Sequence, residues 1–337
     1  MKVAVIGVGR MGRRHIQVVQ KMNLNLMGIL DKNIHSLRLA KEECGLKDCQ
    51  LFSDIDELFS VAVPECLIIA TTADSHCALT CMAAERGVRY ILVEKPLAVS
   101  LDQCELMIST CKKFEAKLSV NHQMRFLEQY SKVKALMSSR VFGGLNSMTV
   151  VAGNFGMSMN GTHYFEAFRY MTDEEPFEVS AWFDNEIVLN PRGAQFEDRS
   201  GSVKVLTESG ARLYMEIGSD QGHGIQVIYA GRNGQVSINE LTGEMVTYVR
   251  CDQYRDLPTT RYGMPSEITH EYITPVEVVD STAQVLRALL SGDNPVSAQQ
   301  GALAVRALVA AYESSENGGR PVRLDAVNDC SRIFPWA

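Results

Sequence analysis

The sequence predicts an α/β chain: a doubly wound parallel sheet first, then an α+β domain with a large, mostly antiparallel sheet. Three observations predict it. Short apolar runs alternate with helical stretches over the first 120 residues, and beyond Asn121 strand-like segments follow one another at hairpin spacing. A glycine-rich turn also lies between the first strand and the first helix. At 337 residues the chain exceeds one ordinary domain, and the change of rhythm sets the expected division into 1–121 and 122–337.

In the first part, strands are expected at 2–6, 25–30, near Leu51, and at 65–70, 89–93 and 117–120. Helices are expected at 10–22, 33–44, 54–59, 75–86 and 101–112. The strands are apolar on both faces, as parallel strands covered by helices must be. In the second part a helix is expected over 124–139, stopped by Gly143-Gly144, and a polar-aromatic helix over 160–171. Strands are expected at 178–188, 202–207, 212–217, 225–229, 236–239 and 245–250. Their connections carry turn residues, as in Arg232-Asn233-Gly234 and Thr242-Gly243. Two closing helices are expected over 275–290 and 298–312.

Hydrophobic residues make up 46% and charged residues 22%, which suits a globular protein with a sizeable core. A net charge of −7 argues against a nucleic-acid partner. No apolar run approaches the ~20 residues that span a bilayer. The apolar start at 3–9 is followed by Arg10, Arg13 and Arg14, a poor signal peptide. A soluble cytoplasmic protein without a membrane partner is therefore expected. Nine cysteines without a CxxC pair, and seven histidines without ligand spacing, point to reduced thiols and no metal.

Gly7-Val8-Gly9-Arg10-Met11-Gly12 fits the G-x-G-x-x-G pattern between strand and helix. Gly7 permits the tight turn, Gly9 lets a pyrophosphate approach the backbone, and Gly12 allows the helix to pack closely. The helix N-terminus adds unpaired N–H groups and a positive dipole. Asp31 ends the second strand, where a carboxylate accepts from ribose hydroxyls and repels a 2′-phosphate. These features predict a Rossmann sheet that binds NAD, while Lys32 leaves NADP open. Thr71 and Glu94, at the ends of the fourth and fifth strands, join the expected cofactor set. His76 is expected beside the nicotinamide, or else as a helix cap.

Glu94-Lys95-Pro96 follows the fifth strand at its carboxyl end, where doubly wound sheets place their ligands. Lys95 would project an ammonium into that crevice. Two longer runs accompany it: Ala70-Thr71-Thr72-Ala73-Asp74-Ser75-His76, and Gly87 through Pro96. Downstream stand Gln123-Met124-Arg125-Phe126, Gly161-Thr162-His163-Tyr164 and Gly319-Arg320-Pro321-Val322. With these residues, and the opening VIGVGRMGRRH, the chain resembles the Gfo/Idh/MocA family of NAD(P)-dependent oxidoreductases. The resemblance implies that Lys95 and His163 face the substrate beside the nicotinamide. It also exposes two departures: Met159 stands where the family commonly has an aspartate, and Thr72 where it usually has proline.

Helical spacing puts Asn160, His163, Glu166 and Tyr170 on one stripe. The pattern fits a helix lining a cleft and equally one partly at the surface. Glu166 is expected to orient His163 from one turn away, or to replace the carboxylate missing at Met159. His122 and Arg125, near the domain junction, could bind a substrate hydroxyl or carboxylate, or form an inter-domain salt bridge. The loop 218–224 reads as a hairpin turn or an anion nest.

The implied activity is hydride transfer between the cofactor and a secondary alcohol or ketone of a sugar, sugar derivative or polyol. Two other readings stay open: an NAD-binding sensor without turnover, which Met159 favours, and a reductase of an imine or pigment. Val203, Val205, Leu213, Met215, Ile217, Val227 and Tyr229 supply apolar faces on an antiparallel sheet of about six strands. The closing helices can cover one face. The other is expected to meet a second copy in a homodimer or homotetramer.

Overall fold

The computed structural model describes residues 1–153, 155–187, 190–218, 220–222, 224–258, 265–274 and 277–337. The chain forms two compact units. One comprises Met1–Gln123, Glu277–Val305 and Asp329–Ala337; the other comprises Met124–Val276 and Arg306–Asn328. The change of unit at residue 123 lies close to the expected boundary. The return of two later segments to the first unit departs from the single division the sequence suggested.

The first unit holds a six-stranded parallel sheet in the order β3-β2-β1-β4-β5-β6. Its strands are β1 (Lys2–Ile6), β2 (Asn25–Leu30), β3 (Leu51–Phe52), β4 (Cys66–Ile69), β5 (Tyr90–Val93) and β6 (Lys117–Val120). The helices between them are α1 (Arg10–Lys21), α2 (Ile34–Cys44), α3 (Ile55–Val61), α4 (His76–Glu85) and α5 (Leu101–Lys113). All four residues of β4 are fully buried, because helices cover both faces of the sheet. Each such Leu or Ile side chain contributes about 1.5–3 kcal/mol of transfer free energy. The strand order reverses between β1 and β4, so the crevice beyond their carboxyl ends is the place for a ligand.

A 3-10 turn, Gln123–Phe126, crosses from the first unit into the second and is followed by α6 (Glu128–Met137), in place of one helix over 124–139. Then come β7 (Leu145–Gly153), a π-turn at Met157–Gly161 and α7 (Thr162–Thr172). The remaining strands are β8 (Glu178–Ile187), β9 (Arg199–Leu206), β10 (Arg212–Gly218), β11 (Gln226–Gly231), β12 (Gly234–Asn239), β13 (Glu244–Arg250), β14 (Ser266–Tyr272) and β15 (Val322–Arg323). They form one nine-stranded sheet, β14-β13-β12-β11-β7-β10-β9-β8-β15, larger than the sequence suggested. Among the described residues the β7–β10 pair is the parallel one in this sheet. Val188, expected to end a strand, and Pro275, expected to begin a helix, lie outside the described residues, as do two positions of the 218–224 loop.

Cross-strand register sorts this sheet into two faces. Val179, Val205, Leu213, Met148, Tyr229, Val236 and Thr247 form one row of neighbours, all buried. The seven apolar residues singled out in the sequence all belong to this covered face. The opposite row runs Ser180, Lys204, Tyr214, Thr149, Ile228, Ser237, Val246 and His270.

The closing helices, α8 (Val278–Ser291) and α9 (Ala298–Glu316), do not both cover the antiparallel sheet. α8 packs on α1, β5 and β6 of the first unit, where Asp280 pairs with Lys21. The division between units falls inside α9, after Val305. The C-terminus also returns to the first unit: Trp336 is fully buried and stacks on Phe334, whose N–H donates to the Val99 carbonyl. Among the described residues no helix is long and apolar enough to cross a membrane, and no three His, Cys, Asp or Glu residues gather in a metal-holding group. Cys44, Cys66, Cys77, Cys104 and Cys111 are buried free thiols, and burial pushes the Cys66 thiol up to about 12.

Candidate active site

The glycine turn has the shape its sequence implied. Gly7 has φ of +83°, and a Cβ there would lie 2.7 Å from the backbone of Ala70 and Thr71. A Cβ on Gly12 would stand 1.9 Å from the Gly7 carbonyl oxygen, so any side chain would push α1 off the turn. At Gly9 nothing lies within 4 Å of that position, which leaves the approach to the helix N-terminus open. Gly9 caps α1 without a side chain, and the first turn has no acidic residue. Arg10 is exposed at its start, and Arg13 is drawn aside by Glu43 at 2.6 Å. Positive residues beside the positive end of a helix cost about 0.3–1 kcal/mol each, and an anion there reverses the sign. Met11 is half-buried behind them.

Asp31 braces this turn. One oxygen accepts from the Val8 N–H at 2.8 Å and the other from the Asn33 N–H at 2.8 Å. The cap of α2 is Asn33, which accepts from His35 N–H, so Asp31 is not the capping residue. Its carboxylate is thereby fixed at the end of β2, beside the glycine turn.

Beyond β5 the structure gathers four polar groups that the sequence had scattered. Glu94 Oε1 lies 2.7 Å from His15 Nε2 and accepts from Asn121 Nδ2 at 2.8 Å. Burial opposes ionisation of Glu94, but the His15 hydrogen bond and charge, the Lys95 ammonium and the Asn121 hydrogen bond outweigh it. Its carboxyl is held at about 2. Lys95, next along the chain, is 9% exposed. Expected on the cofactor side, Glu94 instead turns inward, because only there do buried donors meet its charge. His76 is also corrected: it is fully buried, with Nδ1 3.0 Å from the Pro96 carbonyl and Nε2 3.2 Å from the Thr71 carbonyl. It ties the turn after Lys95 to the end of β4, and burial lowers its pKa. Thr71 Oγ1 accepts from Ser75 Oγ at 2.7 Å.

In the second unit His163 stands in the first turn of α7, directly after the π-turn. Every residue from Thr162 to Phe168 is buried, and exposure along α7 begins only at the half-buried Arg169, Tyr170 and Thr172. Asn160 and Met159 belong to the π-turn rather than the helix, and both are half-buried. That turn is held by a carboxylate the sequence reading missed. Asp198 is 1% exposed and accepts from the N–H groups of Ser158 at 2.7 Å and Met159 at 2.8 Å. Gly156 makes this approach possible, since a Cβ there would lie 2.1 Å from Asp198 Cγ.

Glu166 is 2% exposed, and its hydrogen bonds go to arginines. Arg169 engages both oxygens, at 2.7 and 2.9 Å, and Arg125 Nη1 reaches Oε1 at 3.4 Å. Both carboxylate oxygens are engaged by guanidiniums, so the expectation that Glu166 serves His163 gives way to an arginine cluster. Arg125 also stacks on Tyr170, 4.5 Å from the ring centre. The salt bridge that the sequence offered for Arg125 between domains is instead made within the second unit, to Glu166. His122, 2% exposed, follows Asn121 past β6 in the first.

The structure thus joins Gly7, Gly9, Gly12 and Asp31 in one cradle, Glu94 with His15, and Arg125 with Glu166. Lys95 belongs to the first unit and His163 to the second. Two missed residues were within reach of pattern reading. Gly12, His15, Ile16 and Val19 mark one helical face toward the sheet, and Arg169 stands three residues after Glu166. Asp198 had no such signal, because it meets its partners across forty residues of chain.

Comparison with known proteins agrees with this geometry. Residues 1–122 match the model of the Gfo/Idh/MocA oxidoreductase family with its NAD-binding Rossmann fold. The myo-inositol 2-dehydrogenase of Thermotoga maritima is 25% identical over 227 residues, covering 63% of this chain and 66% of that protein. The inositol 2-dehydrogenase of an Arthrobacter species is 27% identical over 266 residues, covering 74% and 76%. The chain spans 66%, 58% and 36% of the first three curated relatives, about two-thirds of their length or less. An Agrobacterium radiobacter oxidoreductase, solved with NAD+, L-tartaric acid and magnesium, superposes with a TM-score of 0.81 over 97% of this chain and 99% of its own. At 20% identity that likeness is one of fold. The match to the Gfo/Idh/MocA oxidoreductase model, with its NAD-binding Rossmann fold, is thus confined to residues 1–122, the part that holds the glycine turn.

Proposed function

We propose that the chain is an NAD(P)-dependent dehydrogenase acting on CH–OH groups, passing hydride between the nicotinamide and a secondary alcohol or ketone of a sugar, sugar derivative or polyol. The observation that carries the reading is the cradle at α1: no room for a side chain at Gly12, open space at Gly9, and Asp31 fixed against Val8. These residues fit a dinucleotide, with Gly7, Gly9, Arg10, Met11 and Gly12 around the pyrophosphate and Asp31 at the adenosine ribose. That carboxylate favours NAD over NADP. When bound, the nicotinamide supplies the hydride acceptor or donor. Lys95 then donates to the substrate oxygen and stabilises the charge that grows on it. His163 takes the hydroxyl proton and returns it in the reverse direction.

Asn160, His122 and Arg125 bind the substrate's other groups. Glu166 organises Arg125 and Arg169 rather than acting as a base. Inositol dehydrogenases among the relatives support the carbohydrate-like substrate class. The test is a panel of polyols, sugars, sugar acids and nucleotide sugars, assayed for NADH formation. Turnover of one class supports the reading; tight NAD binding with no turnover across the panel points to the sensor that Met159 favours.

The protein is further proposed to be a homo-oligomer. The open face of the large sheet bears Trp182, Tyr214, Tyr248, Ile268 and Tyr272, between 37% and 78% exposed. A monomeric mass by light scattering at micromolar concentration would remove this part.

A further inference from the structure

The proposed function uses Lys95 but gives no role to the buried groups crowded behind it. His15 is fully enclosed, and it comes from the middle of α1, the helix that begins at the glycine turn. Glu94 lies just past β5 and Asn121 just past β6, so three separate elements meet at a single carboxylate oxygen. On the far side of Lys95, His76 holds the Pro96 carbonyl at 3.0 Å. Both sequence neighbours of Lys95 are therefore anchored, the Glu94 carboxylate and the Pro96 carbonyl, by imidazoles that are themselves 0% exposed.

We propose that His15 is a positioning residue for Lys95. By donating to the Glu94 carboxylate it fixes the backbone that carries the lysine, and it ties that backbone to the helix offered to the cofactor phosphates. The idea rests on the reading of Lys95 as the group that meets the substrate oxygen. An imidazole serving only to fill the core would affect stability and leave the lysine indifferent.

The experiment compares His15→Leu with His15→Gln, whose amide keeps an N–H for the carboxylate. Lysine 13C NMR of the whole protein, with the Lys95 resonance assigned through Lys95→Arg, reads the lysine directly without substrate. His15→Leu should shift or broaden that resonance, and kcat on a substrate from the panel should fall about 10- to 100-fold, the scale of a misplaced reacting group. NADH affinity should stay within about twofold. His15→Gln should recover most of the loss. The double variant His15→Leu with Lys95→Ala should be no slower than Lys95→Ala alone, because both changes act on one interaction. An unmoved Lys95 resonance in folded His15→Leu, or losses that multiply in the double variant, would overturn the proposal. If His15→Leu does not fold, Glu94→Gln must move the resonance instead, and its failure to do so counts equally against the idea. Should Lys95→Ala turn over at the parent rate while the resonance still responds to His15, the functional reading fails and the positioning stands.

Discussion

Glu94 in the first unit and Glu240 in the second are both enclosed carboxylates, and their protons are held in opposite directions. Burial raises the pKa of each. At Glu94 the hydrogen bond and charge of His15, the ammonium of Lys95 and the amide of Asn121 overcome that penalty, to about 2. Glu240 meets only neutral donors: Tyr130, Tyr164 and Gln129 oppose the rise without cancelling it, and its pKa stays above the ordinary value. The tyrosines are themselves pushed well above 10, by burial first and by Glu240 next. Hydroxyl donors satisfy a buried carboxylate's lone pairs, but a neighbouring cation is needed to hold its charge. The first unit builds a charged cluster around its lysine. The second surrounds its carboxylate with uncharged donors, among them Tyr164, which follows His163 on α7.

The largest effect expected is catalytic. Lys95→Ala should lower turnover by about 100-fold or more, the scale of one lost electrostatic donor, while NADH titration stays near the parent value. His163→Asn should also slow turnover and flatten its pH profile. Parent rates in both variants, on a substrate the panel identifies, would mean the active site is elsewhere.

Next comes the stability of Glu94→Gln, measured by urea unfolding across pH. Since the folded pKa lies below the ordinary 4.5, the carboxylate's contribution is fully present above about 4.5 and is lost as pH falls toward 2. The variant should be roughly 3 kcal/mol less stable at neutral pH, and the gap should close in acid. A gap that is independent of pH would show that shape, not charge, is what Glu94 supplies.

Asp31→Ser should narrow the preference for NADH over NADPH by about tenfold, as direct titration can show. Equal affinities in the parent protein would remove the cofactor assignment.

The smallest effect is expected at Glu240. A raised folded pKa means the parent gains stability as pH falls, so Glu240→Gln should compare best at neutral pH, within about 1 kcal/mol, and worst in acid. A large neutral-pH loss that shrinks in acid would make Glu240 resemble Glu94 and break the contrast.

Much of the first unit was legible because its signals are local. The glycine turn, Asp31 at a strand end and Glu94-Lys95-Pro96 after the next strand but two each depend on residues adjacent in sequence. The hidden face of the large sheet was legible as well, since alternation of period two in β9, β10 and β11 sorts side chains by itself. It missed β7, the strand at the centre of that sheet, because Ser147 and Thr149 on the open side, and exposed Asn146 near the strand's start, dilute the apolar positions Met148, Val150 and Ala152. It missed β14 because an edge strand with almost every residue exposed has no buried face to write a pattern.

Tertiary structure alone decided four things. It returned α8 and the C-terminal tail to the first unit, where Asn294 donates to the Leu118 carbonyl from 176 residues away. It turned Glu94 toward His15, 79 positions earlier, and gave Glu166 to Arg125, 41 positions before it. It set Asp198 against the turn holding Met159, 39 residues upstream. Backbone preference and hydrophobic periodicity act over a few residues, so the sequence shows them directly. Which charge answers a buried charge depends on which elements pack together, and that pairing exists only once the chain has folded.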